Sequence, residues 1–501
     1  MSRHDLVLAL DQGTTGTRAA LVDASGARVA EAYRAHEQHH PSPALVEHDP
    51  DEILASVRAV LAEVLGTVDP ERVSGLGITN QRETIVLWER DGGRPLARAV
   101  VWQDGRTAER CAELVASGAG ELVRVRTGLP LQPYFSATKL AWLLDNVPGA
   151  RGRAERGELA AGTIDSWLAW QLTGAHVSDV TNASRTLLFD IDRLDWDDEL
   201  LALFHVPRAV LPDVVPSWRP GGLALTTAAG PAGRELALLA LLGDQQAALL
   251  GQACTDEGDA KCTYGTGAFL LVNAGANRPA GVRGLLTSPA YQEGGEAARY
   301  CLEGAMAVAG RAIQWLRDEL GLIAGAAETA ALAASVESSG GVRVVPAFQG
   351  LYAPWWEADA RGAVIGLTLH STRAHVVRAT LEALAFQTRA VVEAAEREGG
   401  MRVGELRIDG GVSGNPFFAQ TLADVLGRPV VRATDAEATV RGAAFAAGLA
   451  AGLWPDVAAL APLVGETELI EPRWNDDRRE AEYADWLRAV ERALPDATPD
   501  G

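Results

Sequence analysis

A chain of 501 residues is too long for one hydrophobic core and calls for two large lobes or three smaller ones. Its 48% hydrophobic and 22% charged residues are those of a soluble globular protein. With 66 acidic against 45 basic residues the net charge is -21, which repels nucleic acid and anionic membranes and directs attention to small-molecule partners.

From Met1 the chain reaches a strand within a few residues, without the basic start and apolar core of a signal peptide. No stretch approaches the roughly 18 uninterrupted apolar residues of a membrane span. The first strands read as Leu6 to Asp11, Thr17 to Asp23 and Ala27 to Tyr33, broken at Gln12-Gly13 and Ser25-Gly26, where Gly permits a tight turn. Asp49-Pro50 is an N-cap followed by Pro at the first helical position, and Ile53, Val57, Val60, Leu61 and Leu65 share one helical face. A strand from Val73 to Thr79 follows, giving the order β-β-β-α-β.

A comparable order recurs later in the chain. Ala260 to Tyr264, Phe269 to Val272 and Arg299 to Leu302 read as strands, Gly304 to Leu320 as a helix, Glu405 to Ile408 as a strand, and a helix opens at about Asn415. This is a duplication at the scale of domains, far longer than a solenoid repeat. It divides the chain near Gly251 into α/β lobes of residues 1–251 and 252–501, hinged rather than tethered because no low-complexity linker parts them.

The cysteines Cys111, Cys254, Cys262 and Cys301 form no CxxC pair, which suits a reducing cytoplasm, and the scattered histidines predict no zinc site. Nearly every basic residue is Arg. Lys139 and Lys261, the two lysines, are either chance survivors or positions that need a compact ammonium.

Three segments point to a phosphate ligand. Asp11-Gln12-Gly13-Thr14-Thr15-Gly16-Thr17-Arg18 lies between strands, where a turn directs successive N–H groups and two hydroxyls at an anion, unless it is an ordinary hairpin. Asp11 is placed to hold Mg²⁺ through water. Thr263-Tyr264-Gly265-Thr266-Gly267 repeats the device in the second lobe, and Asp409-Gly410-Gly411-Val412-Ser413-Gly414-Asn415 ends a strand with bare backbone for a purine or ribose. There is no Walker motif and no GxGxxG opening a βαβ unit.

Other candidates carry two readings each. Asp244 follows the apolar run Leu236 to Leu242 and is either a helix N-cap or a general base. Arg82 and Glu83 follow a strand end, as a surface ion pair or as a donor and acceptor for adjacent hydroxyls. Trp102, Tyr134 and Phe269 are core residues or walls of a pocket.

Read together, these motifs resemble the actin-like ATPase superfamily, more narrowly the FGGY carbohydrate kinases, and among those the glycerol kinases. The likeness runs from Leu8 to about Trp454. It is carried by Gly77-Ile78-Thr79-Asn80-Gln81-Arg82-Glu83-Thr84, Val101-Trp102-Gln103-Asp104, Pro133-Tyr134-Phe135-Ser136-Ala137-Thr138-Lys139, Gly243-Asp244-Gln245-Gln246-Ala247-Ala248 and Tyr264-Gly265-Thr266-Gly267. The resemblance implies two duplicated actin-like, ribonuclease H-like lobes with a nucleotide cleft between them, and a cytoplasmic homo-oligomer of two or four copies. It implies glycerol and ATP as substrates, with Mg²⁺ and in-line transfer of the γ-phosphoryl group.

By the same resemblance Asp244 is the general base and a possible Mg²⁺ ligand beside Asp11. Arg82, Glu83, Trp102, Tyr134, Asp244, Gln245 and Phe269 bind the polyol. Thr14, Thr15, Gly16, Arg18, Gly265, Thr266, Gly310, Gln314, Gly411 and Asn415 bind ATP. The chain departs from the family at Ala137, Tyr352 and Val440-Arg441-Gly442, none of which removes a catalytic group. No His occurs from Val206 to Gly243, so control through a phosphorylated histidine is expected to be absent. Two alternatives stay open: a kinase of another polyol or ketose such as erythritol or xylulose, and a non-metabolic actin-like ATPase.

Overall fold

The computed structural model describes residues 5–495 apart from 228, 229, 231, 232, 281 and 436, so part of the His-free stretch lies outside the described residues. The chain opens on a meander of β1 (Leu6–Gln12), β2 (Gly16–Asp23) and β3 (Arg28–Ala35). β1 begins with an unbroken apolar run because both of its faces are covered. Leu6, Leu8 and Leu10 join one core, and Val7 and Ala9 join another. The Asp49 carboxylate caps α1 (Pro50–Leu65), accepting from Asp51 N at 2.9 Å. β4 (Val73–Asn80) then pairs parallel with β1.

Between β4 and the next principal strand lies an insertion that contributes strands Ile85–Glu89, Ala99–Val100 and Leu159–Thr163 to a four-stranded sheet. The helix α2 (Ser136–Asn146) also belongs to it. β5 (Ala237–Gly243) returns parallel to β4 and runs directly into α3 (Asp244–Gly251). Across the first sheet the order is β5-β4-β1-β2-β3, with the short strand Ala224–Leu225 on the β5 edge.

The second sheet contains β6 (Ala260–Tyr264), β7 (Ala268–Gly275), β8 (Leu286–Tyr291), β9 (Arg299–Met306), β10 (Leu406–Asp409), β11 (Val430–Ala433) and β12 (Thr467–Ile470). Its order is β8-β9-β7-β6-β10-β11-β12. The run β9-β7-β6-β10-β11 repeats β3-β2-β1-β4-β5 in order and direction, antiparallel on one side of the central strand and parallel on the other. Each half is therefore a ribonuclease H-like unit, and the class is the duplicated α/β fold expected.

One reading of the second half is corrected. Gly304 to Leu320 is not one helix: residues 304–306 finish β9, and α4 spans Gly310–Asp318. An apolar stretch buried on both faces looks alike as strand or helix. What decides it is the pairing of Gly304, Ala305 and Met306 with Leu270, Phe269 and Ala268 on β7, and at Gly304 the sheet packs so closely on Val391 of α5 (Arg373–Gly399) that a side chain has no room. The strands β8, β11 and β12 were not anticipated.

Beyond β10 come α6 (Pro416–Leu426) and α7 (Ala438–Ala451). α7 lies on the first sheet, where Val440, Ala443 and Ala447 share a core with Val7 and Ala9. α3 and α7 cross at Gly251 and Gly442, each glycine so close to the other helix's backbone that a Cβ has no room. Arg441, one of the departures from the family, latches this crossing with Nε donating to the Gly251 carbonyl at 2.7 Å. A cut near residue 251 parts the two sheets but leaves this shared core on both sides of it.

Candidate active site

Three backbone turns sit at corresponding strand ends of the two sheets. In the first, Gly13 N donates to the Gly16 carbonyl at 2.9 Å, and Gly16 packs beneath Tyr33 with no space for a side chain. Thr14 is half-buried and Thr15 exposed. In the second, the Gly265 carbonyl accepts from Gly310 N at 2.9 Å, and the Thr266 carbonyl from Ala309 N and Arg311 N at 2.9 and 3.1 Å. The β6–β7 turn is thereby tied to the start of α4, and Gln314 is exposed on that helix. In the third, Gly410 (φ 87°) presses on Tyr264, while Gly411 faces open space. Pairing of Thr263 with Asp409 sets the second and third turns side by side.

Two residues expected at the nucleotide are held by the protein itself. Arg18 pairs with Glu31 at 2.5 Å and Glu437 at 3.1 Å. Asn415 caps α6, accepting from Phe418 N at 3.1 Å and donating to Thr329 Oγ1 at 2.9 Å. Thr14, Thr15, Gly265, Thr266 and Gly411 lie on the turns themselves, Gly16 begins β2 at the close of the first, and Gly310 begins α4 bonded to the second.

Arg82 and Glu83 are no surface pair, since they are only 2% and 1% exposed. Their closest charged atoms are 3.9 Å apart, and each is gripped more tightly elsewhere. Arg82 Nη1 and Nη2 donate to the two carboxylate oxygens of Glu303 at 2.6 and 2.9 Å, Nη1 also donates to Gln246 Oε1 at 3.2 Å, and Nε lies 3.1 Å from Asp244 Oδ1. Glu83 (φ 62°) accepts from Arg185 Nε at 2.6 Å. Burial opposes the Arg82 charge, but Glu303, Glu83 and Asp244 hold its pKa well above the ordinary value.

Asp244 is the first residue of α3, whose N-cap is Gly243. Its side chain is 29% exposed, pairs with Arg82 Nε and accepts from the adjacent Gln245 N at 2.7 Å, so it is not the N-cap that one reading made it. Burial, then the neighbouring charges of Asp244 and Glu437, push the Asp11 carboxyl up to about 7.

Trp102 and Tyr134 meet edge to face at 5.5 Å, and Trp102 Nε1 donates to Thr14 Oγ1 at 3.0 Å, linking this wall to the first turn. Phe269 is half-buried on β7 opposite Thr263. Both lysines prove fully buried. Lys139 on α2 donates to the carbonyls of Val101, Trp102 and Tyr134 at 2.8, 2.9 and 3.2 Å. Lys261 on β6 donates to Gln245 Oε1 at 2.5 Å and Thr263 Oγ1 at 3.1 Å, joining the helix that bears Asp244 to the second phosphate turn.

Sequence reading missed Glu303, Arg185 and Gln246. A faint signal existed for Glu303, an acid alone among apolar and small residues in Cys301-Leu302-Glu303-Gly304-Ala305.

The model of the FGGY family of carbohydrate kinases matches the chain in two parts, its N-terminal domain over residues 6–251 and its C-terminal domain over 260–451. A glycerol kinase of Mycobacterium tuberculosis (strain ATCC 25618 / H37Rv) is 49% identical over 497 residues, 98% of this chain and 96% of that one. One from Dechloromonas aromatica (strain RCB) is 52% identical over 494 residues, 97% of each. The crystal structure of Plasmodium falciparum glycerol kinase with ADP superposes with a TM-score of 0.93 at 34% identity, over 98% of this chain and 99% of that one. A xylulose kinase from Rhodospirillum rubrum reaches 0.85 at 28% identity, over 97% and 98%.

Proposed function

The chain belongs to the FGGY family of carbohydrate kinases, and we propose that it transfers the γ-phosphoryl group of ATP to glycerol, giving sn-glycerol 3-phosphate and ADP. The observation that carries this reading is the junction of Asp244 with Arg82. A partly exposed carboxylate stands beside a buried guanidinium at the end of β5, close enough to Asp11 on the first lobe to raise its pKa and on the helix that Lys261 joins to the second lobe's Thr263. Phosphoryl transfer needs little covalent chemistry from the protein beyond such a carboxylate and well-placed donors.

In this mechanism Asp244 accepts the proton of the attacking hydroxyl as its oxygen bonds to the γ-phosphorus and the bond to the ADP oxygen breaks. Arg82 holds Asp244 in place and donates to a substrate hydroxyl, while Glu83 and Gln245 meet the others. Trp102, Tyr134 and Phe269 cover the carbon chain and keep water out. Thr14, Thr15, Gly16, Gly265 and Thr266 supply backbone and hydroxyl donors to the phosphates, with Gly310, Gln314 and Gly411 beside the nucleoside. Arg18 and Asn415 would join them by exchanging their present partners.

The donor set fits Mg²⁺, which takes one or two carboxylates and fills its remaining positions with water and phosphate oxygens. Asp11 would hold it through water, with Asp244 close enough to raise the Asp11 pKa, and the ion would neutralise charge on the phosphates. Two or four copies and a cytoplasmic setting complete the proposal, the latter supported by four free, buried cysteines. The test is a coupled assay in which a dehydrogenase specific for sn-glycerol 3-phosphate reports the product. Signal that requires protein, MgATP and glycerol together supports the proposal, and ADP release unaffected by glycerol would refute it.

A further inference from the structure

An ionised carboxyl in the middle of a buried strand is tolerated only where its partners are close and its lone pairs satisfied. Glu303 lies in β9 between the apolar strands β7 and β8, paired in register with Leu271 and Leu286, and is 0% exposed. Its oxygens accept from Arg82 at 2.6 and 2.9 Å and from Arg185 Nη2 at 3.3 Å. Burial alone would raise its pKa, but Arg185 and Arg82 hold it down, to about 2. Arg185 Nη1 continues to Ser288 Oγ at 3.1 Å, and its Nε to Glu83 at 2.6 Å.

Arg82, Glu83 and Arg185 belong to the first half of the chain, and Glu303 and Ser288 to the second. Of the five N–H groups of Arg82, three are spent on Glu303 and Gln246. That leaves the Nε–H beside Asp244 and one Nη2–H for a ligand. The side of the guanidinium that remains open is thus set by a carboxylate from the other lobe. Glu83 is set in turn by Arg185, which the same carboxylate holds.

We infer that Glu303 is a positioning residue for polyol recognition: from the second lobe it aims Arg82 directly and Glu83 through Arg185, so that the polyol pocket is complete only when the two lobes are docked. This rests on Arg82 and Glu83 contacting the polyol, as proposed above. ATP meets other residues, so loss of Glu303 acts on one substrate and not the other.

The experiment measures KM for glycerol and for ATP in the full-length wild type, Glu303→Gln and Glu303→Asp, with thermal unfolding of each. Glu303→Gln is expected to raise the glycerol KM at least about tenfold while the ATP KM stays within about twofold, because only polyol binding has lost its alignment. Glu303→Asp, which keeps the charge, is expected to recover part of the loss. Unchanged glycerol KM, or equal rises in both KM values, would overturn the inference. Should Glu303→Gln fail to fold, Arg185→Lys must show the same split; failure of both to fold would assign the cluster to stability alone and overturn it too. Wild-type protein without glycerol turnover would refute the substrate reading together with this inference, whereas wild-type turnover without the split refutes the inference alone.

Discussion

Lys139→Met isolates the ammonium that fastens the aromatic wall. Methionine fills nearly the same volume, so the change removes hydrogen bonds without opening a cavity. Carbonyls now satisfied at 2.8, 2.9 and 3.2 Å would lose this donor; that of Val101 keeps Asp104 N at 3.0 Å, so those of Trp102 and Tyr134, both part-buried, are the ones stranded. Each stranded acceptor costs about 1–3 kcal/mol, which for two sets a ceiling of roughly 6 kcal/mol. Burial lowers the Lys139 pKa to about 7, so part of the bond strength is already offset by desolvation, and local relaxation recovers more. A loss of about 3–5 kcal/mol is expected, within the range of a broken buried network. Urea unfolding of both proteins at one pH measures it. Because two of the carbonyls belong to Trp102 and Tyr134, the glycerol KM should rise as well. Lys139→Gln, with two N–H donors, should fall between. Stability within about 1 kcal/mol of wild type, with unaltered glycerol KM, would refute the clamp, since even one stranded carbonyl costs that much.

Further outcomes follow from the same geometry. Asp244→Asn should fold normally and bind nucleotide but lose at least about 10²-fold in kcat, the lower range for a general base, and near-native turnover would place the base elsewhere. With phosphate turns on both lobes, glycerol together with a nonhydrolysable ATP analogue should make the protein more compact by small-angle scattering, and identical curves with and without them would exclude a sizeable closure. Asp165, buried and beside the charge of Asp179, has its pKa raised from 3.8 to about 7. The folded state therefore binds more protons than the unfolded one across that window, and wild-type stability relative to Asp165→Asn should fall as pH climbs from about 4 to about 7. A pH-independent difference between the two in urea unfolding would show that Asp165 does not titrate there.

What could be read in the sequence was local or carried by a motif. β1 and α1 were legible because an apolar run, a Gly turn and Asp49-Pro50 each act within a few residues. The duplication was legible from the repeated turns, while β8 and the true start of α4 were not, since a stretch buried on both faces carries no period. Asp244 and the Arg82-Glu83 pair drew attention through their motifs, but the sequence could not say that the pair is buried or why. That reason lies far along the chain: Glu303 is 221 residues from Arg82 and 118 from Arg185. Arg18 and Asn415 illustrate the same limit, because their partners Glu437 and Thr329 are brought near only by the second lobe folding against the first and by packing within it.

The most direct test of glycerol as substrate is a panel of kcat/KM values for glycerol, 1,3-propanediol, dihydroxyacetone, erythritol and xylulose at saturating MgATP. Glycerol is expected to lead. 1,3-Propanediol should fall at least about tenfold below it, because a missing hydroxyl strands a buried charged partner at a cost of about 1–3 kcal/mol or more. A four- or five-carbon compound at the head of the panel would leave a kinase of this family with a different substrate and contradict the glycerol assignment.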